Sequence, residues 1–229
     1  MKSGLIGLLG ILLISTQVLA AENVQLKSQE DKASYALGMN VGKNMKQLPA
    51  DIDPEFFTKG FKDALSGAKP LLSEEEMRTV MTAFQKEISE KQAEKTKVLG
   101  EKNKKEGETF LAENKKKEGV KILTSGLQYK VVKEGTGKKP KATDKVTTHY
   151  QGTLIDGTEF DSSYKRGEPA AFPVNGVIPG WTEALQLMKV GSKWQLFVPS
   201  KLAYNERGAG PKIGPNAVLI FTIELLAIK

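Results

Sequence analysis

The chain has 229 residues, enough for one large domain or two modest ones, with 34 basic and 27 acidic side chains and a formal net charge of +7. It contains no cysteine and a single histidine, which excludes disulfide stabilisation and makes a structural zinc site implausible. Most of the positive excess follows residue 120, where 15 basic residues oppose 9 acidic ones. So small an excess favours a soluble basic surface over nucleic-acid binding.

Residues 1–20 have the layout of a secretory signal peptide. Lys2 precedes an apolar run from Leu5 to Ile14, and Val18-Leu19-Ala20 supplies small residues for cleavage. The run is shorter than the roughly 20 apolar residues of a membrane-spanning helix. No cysteine lies nearby to carry a lipid. We therefore expect a mature chain beginning near Ala21 and lying outside the cytoplasm, which is a second reason to discount nucleic acid as a partner.

Residues 21–72 are predicted to form a helical dimerisation domain. A first helix is expected over Asp31 to Leu48, with Gly38 and Gly42 one turn apart at positions where another helix can approach closely. A second helix is expected to begin at Asp53-Pro54 and to end at Gly67. Two short helices have too few apolar residues for a core of their own, which favours oligomerisation through the stripe Phe57, Phe61 and Leu65. Packing of that stripe within the monomer is the alternative.

Residues 73–118 are predicted to form a long connecting helix. Ser73 followed by three glutamates is a capping-box start, and no proline follows up to Glu118. From Glu90 onward the composition is rich in Lys and Glu, so we expect a solvated spacer arm with ion pairs between residues four apart. Gly100 and Gly107 are its expected weak points.

Residues 119–229 change to strand-like periodicity. Four segments are rich in β-branched or aromatic residues that alternate with polar ones, which is typical of strands. Asp156-Gly157 predicts a turn between two strands. One short helix is expected over Trp181 to Met188, with Gly191 as its stop. The expected fold class is therefore α+β, with helices at the amino end and an antiparallel sheet at the carboxyl end. The four strand-like segments are Leu127 to Val132, Val146 to Tyr150, Trp194 to Val198 and Val218 to Ile228.

Aromatic residues of this last region recur beside turn residues at the ends of the predicted strands. Rings that converge from several strands and loops line a concave apolar pocket, which suits a small apolar unit of a ligand. The sequence shows no nucleophile–base pair: Ser162 and Ser163 lack a credible base, and His149 is expected to be an exposed strand residue facing away from whatever Tyr150 lines. A hydrolase is therefore disfavoured, and we predict neither a metal nor a cofactor.

Several motifs together resemble the FK506-binding family of peptidyl-prolyl cis-trans isomerases, in the layout of the exported macrophage infectivity potentiator subgroup. The motifs are Ser34-Tyr35-Ala36-Leu37-Gly38, Ser125-Gly126-Leu127-Gln128-Tyr129, Phe160-Asp161-Ser162-Ser163, Val177-Ile178-Pro179-Gly180-Trp181 and Phe221-Thr222-Ile223-Glu224-Leu225-Leu226. The resemblance covers the whole mature chain. It implies an isomerase domain over 119–229 with a half-wrapped sheet, a homodimer, and residence in the periplasm or at the outer membrane or surface of a Gram-negative bacterium.

The resemblance also implies roles for individual residues. Trp181 is expected at the pocket floor, Asp161, Tyr204 and the Ile178 backbone N–H are expected to act in catalysis, and further residues to bind substrate. At the rim, Ala209 stands where eukaryotic relatives commonly carry a histidine, Ala170 where they carry an aromatic residue, and Lys212 where many have an apolar residue. These three differences leave the floor intact. Relatives of the subgroup also carry methionines at the dimer-forming positions where Phe57 and Phe61 stand, so their methionine contact is not available here. The substrate-binding set is Tyr150, Phe160, Arg166, Phe172, Val177, Trp181, Ile213 and Phe221.

The leading hypothesis is an exported dimeric isomerase that acts on proline-containing polypeptides and binds macrolide inhibitors of the FK506 and rapamycin type. The alternative is a holdase chaperone or host-matrix-binding surface protein in which the cleft between two arms grips unfolded or collagen-like chains. Changes in the pocket separate the two, because they should abolish isomerisation and spare holding.

Overall fold

The computed structural model describes residues 25–229, so the predicted signal peptide at 1–20 lies outside the described residues. Contacts divide the chain into two compact units, with the division after Phe57. Within residues 25–229, no helix combines the length and the apolar character needed to cross a membrane.

Helix α1 (Gln29–Met45) begins two residues earlier than predicted because Ser28 caps it. The Ser28 hydroxyl accepts a hydrogen bond from the Asp31 backbone, and the Asp31 carboxylate accepts one from the Ser28 backbone, which satisfies two amides at the helix start. No residue of α1 is buried, and nothing lies within 4 Å of an added Cβ at Gly38 or Gly42. The close approach expected at these glycines has therefore no partner within the described chain.

Helix α2 (Pro54–Ser66) starts and stops where the sequence predicts, at Asp53-Pro54 and at Gly67, whose φ is +69°. Its side chains are not buried: Phe57, Phe61 and Leu65 are 40%, 57% and 75% exposed. The apolar stripe is thus uncovered among the described residues.

Helix α3 (Glu74–Asn114) is unbroken through 41 residues and spans about 61 Å. The predicted capping box is present, since the Glu76 amide donates to the Ser73 hydroxyl and the Ser73 amide donates to the Glu76 carboxylate. Ion pairs between residues four apart lie on its surface, for example Lys91 with Glu87 at 2.6 Å. The helix ends at Asn114, four residues before the predicted end.

The carboxyl-terminal part of α3 is not the fully solvated arm that its composition suggested. Gly100, Gly107 and Asn114 are buried, seven residues apart, on one face that packs against the sheet domain. An added Cβ on Gly107 would come within 2.6 Å of Val218 Cγ2, so this glycine is a point of close approach rather than a weak point. Phe110 lies 6.0 Å from Phe197 between ring centroids on the same face.

Two amides complete this junction. The Asn114 side chain donates to Gln128 Oε1 at 3.0 Å, and the Gln128 amide donates to the Leu111 carbonyl at 2.9 Å. Both side chains are almost fully buried. Buried amides are costly unless bonded, so the pair ties the helix end to the first long strand.

The region that follows α3 forms a sheet with two short α-helices. The elements are β1 (Val120–Ile122), β2 (Gln128–Lys133), β3 (Lys145–Leu154), β4 (Glu159–Ser162), α4 (Ser163–Arg166), β5 (Ala170–Pro173), α5 (Pro179–Leu185), β6 (Lys193–Val198) and β7 (Leu219–Ile228). The sheet is antiparallel throughout, in the order β1-β2-β6-β7-β3-β4, with β5 also paired to β3. The turn predicted at Asp156-Gly157 joins β3 to β4, with Gly157 at φ +87°. The bounds of three short strands (β1, β4 and β5) and the one-turn helix α4 were not predicted.

Helix α5 lies against the concave side of the sheet and forms the core with it. Trp181, Ala184 and Leu185 from the helix, and Met188 just after it, pack with buried residues of β6 and β7 such as Leu196 and Ile223. The sheet therefore wraps one helix, as the family resemblance implied, and the helix start faces the edge where the aromatic residues gather.

We expect Gly107→Leu to lower the thermal unfolding midpoint, although Leu is the better helix former. The added side chain collides with Val218, and overpacking of this kind costs roughly 1–3 kcal/mol. Lys104→Leu, which adds the same side chain on the exposed side of α3, is the matched control and should leave the midpoint nearly unchanged. Equal midpoints for the two variants, measured by calorimetry, would show that the helix end does not pack on the sheet.

Candidate functional site

An apolar cavity of about 680 Å³ opens at the start of α5. The indole of Trp181 forms its floor and is 4% exposed. Three rings stand edge-on to it: Tyr150 and Phe221 with centroids at 5.2 Å, and Phe172 at 5.8 Å, all with interplanar angles of 84°. Edge-to-face pairs place the positive rim of one ring on the negative face of another, so the cluster is stabilised without a polar bond.

Each wall comes from a different element. Tyr150 lies on β3, Phe160 on β4, Phe172 on β5 and Phe221 on β7, so the site exists only once the sheet has formed. The ring centroids of Phe160 and Phe221 lie 5.5 Å apart in an edge-to-face pair. Gly152 makes this contact feasible, because a Cβ there would lie 2.6 Å from Phe160 and 2.9 Å from Phe221.

The polar edge of the cavity is a closed network of three side chains. The Tyr150 hydroxyl donates to Asp161 Oδ2 at 2.5 Å, Arg166 donates to the same carboxylate, and Arg166 Nη2 donates to the Tyr150 hydroxyl at 2.8 Å. The Arg166 guanidinium also lies 5.4 Å from the Tyr150 ring centroid, within cation–π range. Both oxygens of Asp161 are thereby oriented.

This network fixes the charge state of the edge. Partial burial of Asp161 would raise its pKa, but hydrogen bonds from Tyr150 and Arg166 outweigh burial and hold the pKa below its ordinary value. Burial, together with the Asp161 carboxylate, raises the pKa of the Tyr150 hydroxyl. At neutral pH the site therefore presents an ionised carboxylate and a neutral phenol, neither of which is poised to exchange a proton.

Several donors at the cavity have no partner within residues 25–229, among them the buried indole Nε1–H of Trp181. The Ile178 backbone N–H, directly before α5, donates no hydrogen bond there, while the Ile178 carbonyl accepts from Trp181 at 2.9 Å. The Tyr204 hydroxyl, on a side chain 39% exposed, is likewise unbonded among the described residues. Both are open to a ligand carbonyl.

The structure brings the predicted site residues together. All of them line the cavity except Arg166, which reaches it through Tyr150 and Asp161. Gly176, Ala203 and Gly210 also line the cavity and were missed, because small residues in loops give no recognisable signal on their own. Residues lining the cavity from the predicted set are Tyr150, Phe160, Asp161, Phe172, Val177, Ile178, Trp181, Tyr204, Ile213 and Phe221.

The three rim differences have distinct surroundings. Ala209 lines the cavity, and Ala170 is half-buried against the core. Lys212 does not line this cavity; its ammonium donates to the Glu159 carbonyl at 3.2 Å.

Two sequence-based expectations about the serine–histidine region need correction. His149 is half-buried rather than exposed, stacks on Tyr164 at 4.6 Å and lies 3.0 Å from the Ser163 hydroxyl, so a base is close to that serine after all. The Ser163 hydroxyl nevertheless has no access to substrate. It is fully buried, accepts from the Tyr150 amide at 2.7 Å and donates to the Tyr150 carbonyl at 3.1 Å. The pair therefore locks β3 to α4 and does not form a nucleophile.

Comparison with known proteins agrees with this geometry. Residues 136–226 match the family model of the FKBP-type peptidyl-prolyl cis-trans isomerase, and residues 30–131 match that of the domain amino-terminal to it. The chain is 49% identical over 218 residues to the Outer membrane protein MIP of Legionella longbeachae, covering 95% of this chain and 94% of that one. It is 50% identical over 216 residues to the isomerase FkpA of Aeromonas hydrophila, covering 91% and 80%.

A solved structure is also similar over most of the chain. The crystal structure of FkpA from Escherichia coli superposes with a TM-score of 0.68 at 38% identity, covering 90% of this chain and 99% of that one.

Arg166→Leu should raise the pKa of Asp161 toward its ordinary value. The substitution removes one of the two side chains whose hydrogen bonds lower this pKa, and it leaves the Tyr150 hydrogen bond and the burial that raises it. A carboxylate with a depressed pKa stabilises the fold above its unfolded pKa and loses that contribution as the pH falls through the folded pKa, so the variant should lose it at a higher pH. A carbon-detected NMR titration of the Asp161 carboxyl measures the change.

Lys165→Leu is the control, because Lys165 pairs with Glu159 at 2.8 Å and leaves Asp161 untouched. An unchanged Asp161 titration in Arg166→Leu would mean that the guanidinium does not hold the carboxylate in solution.

Proposed function

Because this chain belongs to the family of FKBP-type peptidyl-prolyl cis-trans isomerases, we propose that its aromatic cavity binds the proline ring of a polypeptide and accelerates rotation about the preceding amide. The observation that carries the proposal is the floor made by Trp181 with three rings edge-on to it. A pyrrolidine ring is a small apolar unit that such a floor can cover.

The reaction makes and breaks no covalent bond. Rotation is opposed by amide resonance, which sets a barrier of roughly 18–20 kcal/mol. A planar amide is more polar than a twisted one, so an apolar cavity disfavours the ground state relative to the twisted state. This is differential binding of the transition state. A thousandfold acceleration requires about 4 kcal/mol, within the range of desolvation with one or two hydrogen bonds.

Polar groups at the edge then orient the substrate. The unpartnered Ile178 N–H donates to a substrate carbonyl, and the Tyr204 hydroxyl positions the peptide. The Asp161 carboxylate, held by Tyr150 and Arg166, supplies a fixed negative charge that favours a twisted carbonyl whose positive carbon end faces it. Macrolides of the FK506 and rapamycin type compete for the same cavity.

We also propose that the protein is an exported homodimer. The layout of residues 1–20 and a relative whose name places it in the outer membrane support export. The uncovered faces of α1 and α2 support a second copy as the partner: Gly38 and Gly42 lie open, and Phe57, Phe61 and Leu65 are at least 40% exposed. Exposed apolar side chains of this number are uncommon on a monomer.

A chaperone that holds unfolded chains is the second candidate. Apolar side chains remain exposed beyond the proposed dimer surface, including Leu71 at 72%, Val80 at 54% and Met81 at 57%. Such residues can grip unfolded polypeptides, and two cavities on one dimer raise the effective concentration at which a released client rebinds. Holding and isomerisation are compatible in one protein.

Replacing Asp161 with Ala should lower turnover of an Xaa-Pro peptide by about tenfold or more, the equivalent of about 1.4 kcal/mol of transition-state stabilisation. The thermal midpoint should barely change, because an ion pair exposed as this one is contributes about 0–1 kcal/mol. Trp181→Ala should impair both properties, since loss of a buried aromatic costs roughly 3–5 kcal/mol.

Glu168→Ala is the matched control for Asp161→Ala, as it removes one exposed carboxylate that does not line the cavity. Turnover of Asp161→Ala within twofold of the parent would remove Asp161 from the mechanism.

The double variant Phe57→Glu, Phe61→Glu should be monomeric in analytical ultracentrifugation, because four buried carboxylates cannot be accommodated at an apolar dimer surface. Its turnover of a short peptide should equal that of the parent, since the cavity is intact. Refolding of a protein limited by proline isomerisation should be slower, as each client then meets one cavity.

Lys62→Glu adds a carboxylate at an exposed position of the same helix and should remain dimeric. A parent that sediments as a monomer would rule out the dimer, and equal refolding rates per active site would show that dimerisation contributes nothing to handling clients.

A further inference from the structure

One wall of the cavity is carried by residues 204–217, here called the wall loop. It contributes Tyr204, Ala209, Gly210 and Ile213 to the lining. A small bridge closes it, in which the Ala209 amide donates to the Ile213 carbonyl at 2.8 Å and the Ile213 amide donates back at 3.2 Å. At its base the Asn216 amide donates to the Asn205 carbonyl at 2.7 Å. The loop is therefore a compact unit whose position sets that of the wall.

The wall loop packs against the carboxyl-terminal half of helix α3, at Gly100 and Asn103. Asn103 Nδ2 donates to the Pro215 carbonyl at 2.8 Å, across 112 residues of sequence. Asn216 Nδ2 donates to the Gly100 carbonyl at 3.4 Å, a longer and weaker bond. Gly214 packs so closely that an added Cβ would lie 3.0 Å from both Asn103 Nδ2 and Leu99 Cδ2.

Burial of Pro215 makes the hydrogen bond from Asn103 important for the stability of the loop. Pro215 is buried, and a buried carbonyl without a partner costs about as much as a lost hydrogen bond. The Asn103 amide supplies that bond. Gly100 provides the space for it, because an added Cβ there would lie 3.3 Å from Pro215 Cγ. The helix and the loop thus pack closely because Gly100 leaves space for Pro215 and Asn103 bonds to its carbonyl.

From this geometry we propose that Asn103 is a positioning residue for the isomerase cavity, acting on the wall loop through the Pro215 carbonyl. The inference rests on the proposed function of the cavity. Ile213, which is 8% exposed and lines the cavity, lies two residues from Pro215. Loss of the anchor lets the wall move away from Trp181, and misplacement of a binding group by about 1 Å can cost up to about a hundredfold in rate.

Asn103→Asp is the informative variant, because it keeps the size and shape of the side chain and replaces the donor by an acceptor facing a carbonyl. Asn103→Ala removes the amide altogether, and Lys104→Ala changes the neighbouring exposed residue as a matched control. Steady-state isomerisation of an Xaa-Pro peptide by the full chain, with kcat and KM separated, gives the functional readout. Amide hydrogen exchange at Ala209 and Ile213 gives a readout independent of activity.

Both Asn103 variants should raise KM by about threefold to tenfold with a smaller change in kcat, since the floor and Asp161 are untouched. Exchange at the Ala209 and Ile213 amides should accelerate by about tenfold or more, while exchange at Trp194 in the sheet stays as in the parent. Lys104→Ala should match the parent in every measurement. The same KM loss in Asn103→Asp as in Asn103→Ala distinguishes the hydrogen bond from mere packing.

Values of kcat/KM within twofold of the parent in both Asn103 variants, or unchanged exchange at Ala209 and Ile213, would overturn the proposal. A parent chain that fails to isomerise the peptide would instead refute the proposed function, and the exchange data would still decide whether Asn103 holds the wall loop.

Discussion

The structure depends on the placement of Trp181 at the first turn of α5. Its indole is buried by rings from β3, β5 and β7, so the same contacts that close the core also make the cavity floor. A sheet that wraps one helix leaves an opening at the helix start, where no further strand of residues 25–229 covers the aromatic side chains. The cavity is therefore a consequence of how this core is built, and the binding surface shares the rigidity of the core.

The polar edge complements this apolar floor without supplying acid–base chemistry. Tyr150, Asp161 and Arg166 bond to one another in a closed network. The pKa of Asp161 is lowered and the pKa of Tyr150 is raised, so both move further from neutral pH. Oriented charge beside an apolar surface is suited to an amide that changes its dipole as it rotates, and unsuited to attack on that amide. The buried Ser163 hydroxyl and its neighbour His149 likewise have a structural role, because that hydroxyl accepts a hydrogen bond from the Tyr150 backbone and lies next to the imidazole.

Local signals in the sequence predicted much of this molecule. The Ser73 capping box located the start of α3, Asp53-Pro54 located that of α2, Asp156-Gly157 located a turn, and the aromatic motifs located the cavity lining, with the family resemblance supplying the roles. Three short strands escaped because β1, β4 and β5 have only three or four residues each, too few to show alternation. Their pairing is decided by neighbours distant in the chain.

The packed face of α3 escaped for a different reason. Its contacts are made by Gly100, Asn103, Gly107, Phe110 and Asn114, spaced by three and four residues along one face, yet only one of the five is a large apolar residue. Hydrophobic periodicity cannot reveal a face that packs through missing side chains and amides. The abundant lysines and glutamates lie on the opposite, solvated side of the helix. The carboxyl-terminal part of α3 thus supports the loop that lines the cavity.

The role of the Trp181 cavity can be measured through the rate of cis-to-trans conversion of a short Xaa-Pro peptide, followed with the full chain in the presence and absence of a macrolide of the FK506 type. We expect the chain to accelerate conversion over the uncatalysed rate, and a stoichiometric amount of the macrolide to abolish the acceleration. A rate equal to that of the peptide alone, or an acceleration that the bound macrolide leaves intact, would show that this cavity does not accelerate rotation about Xaa-Pro bonds.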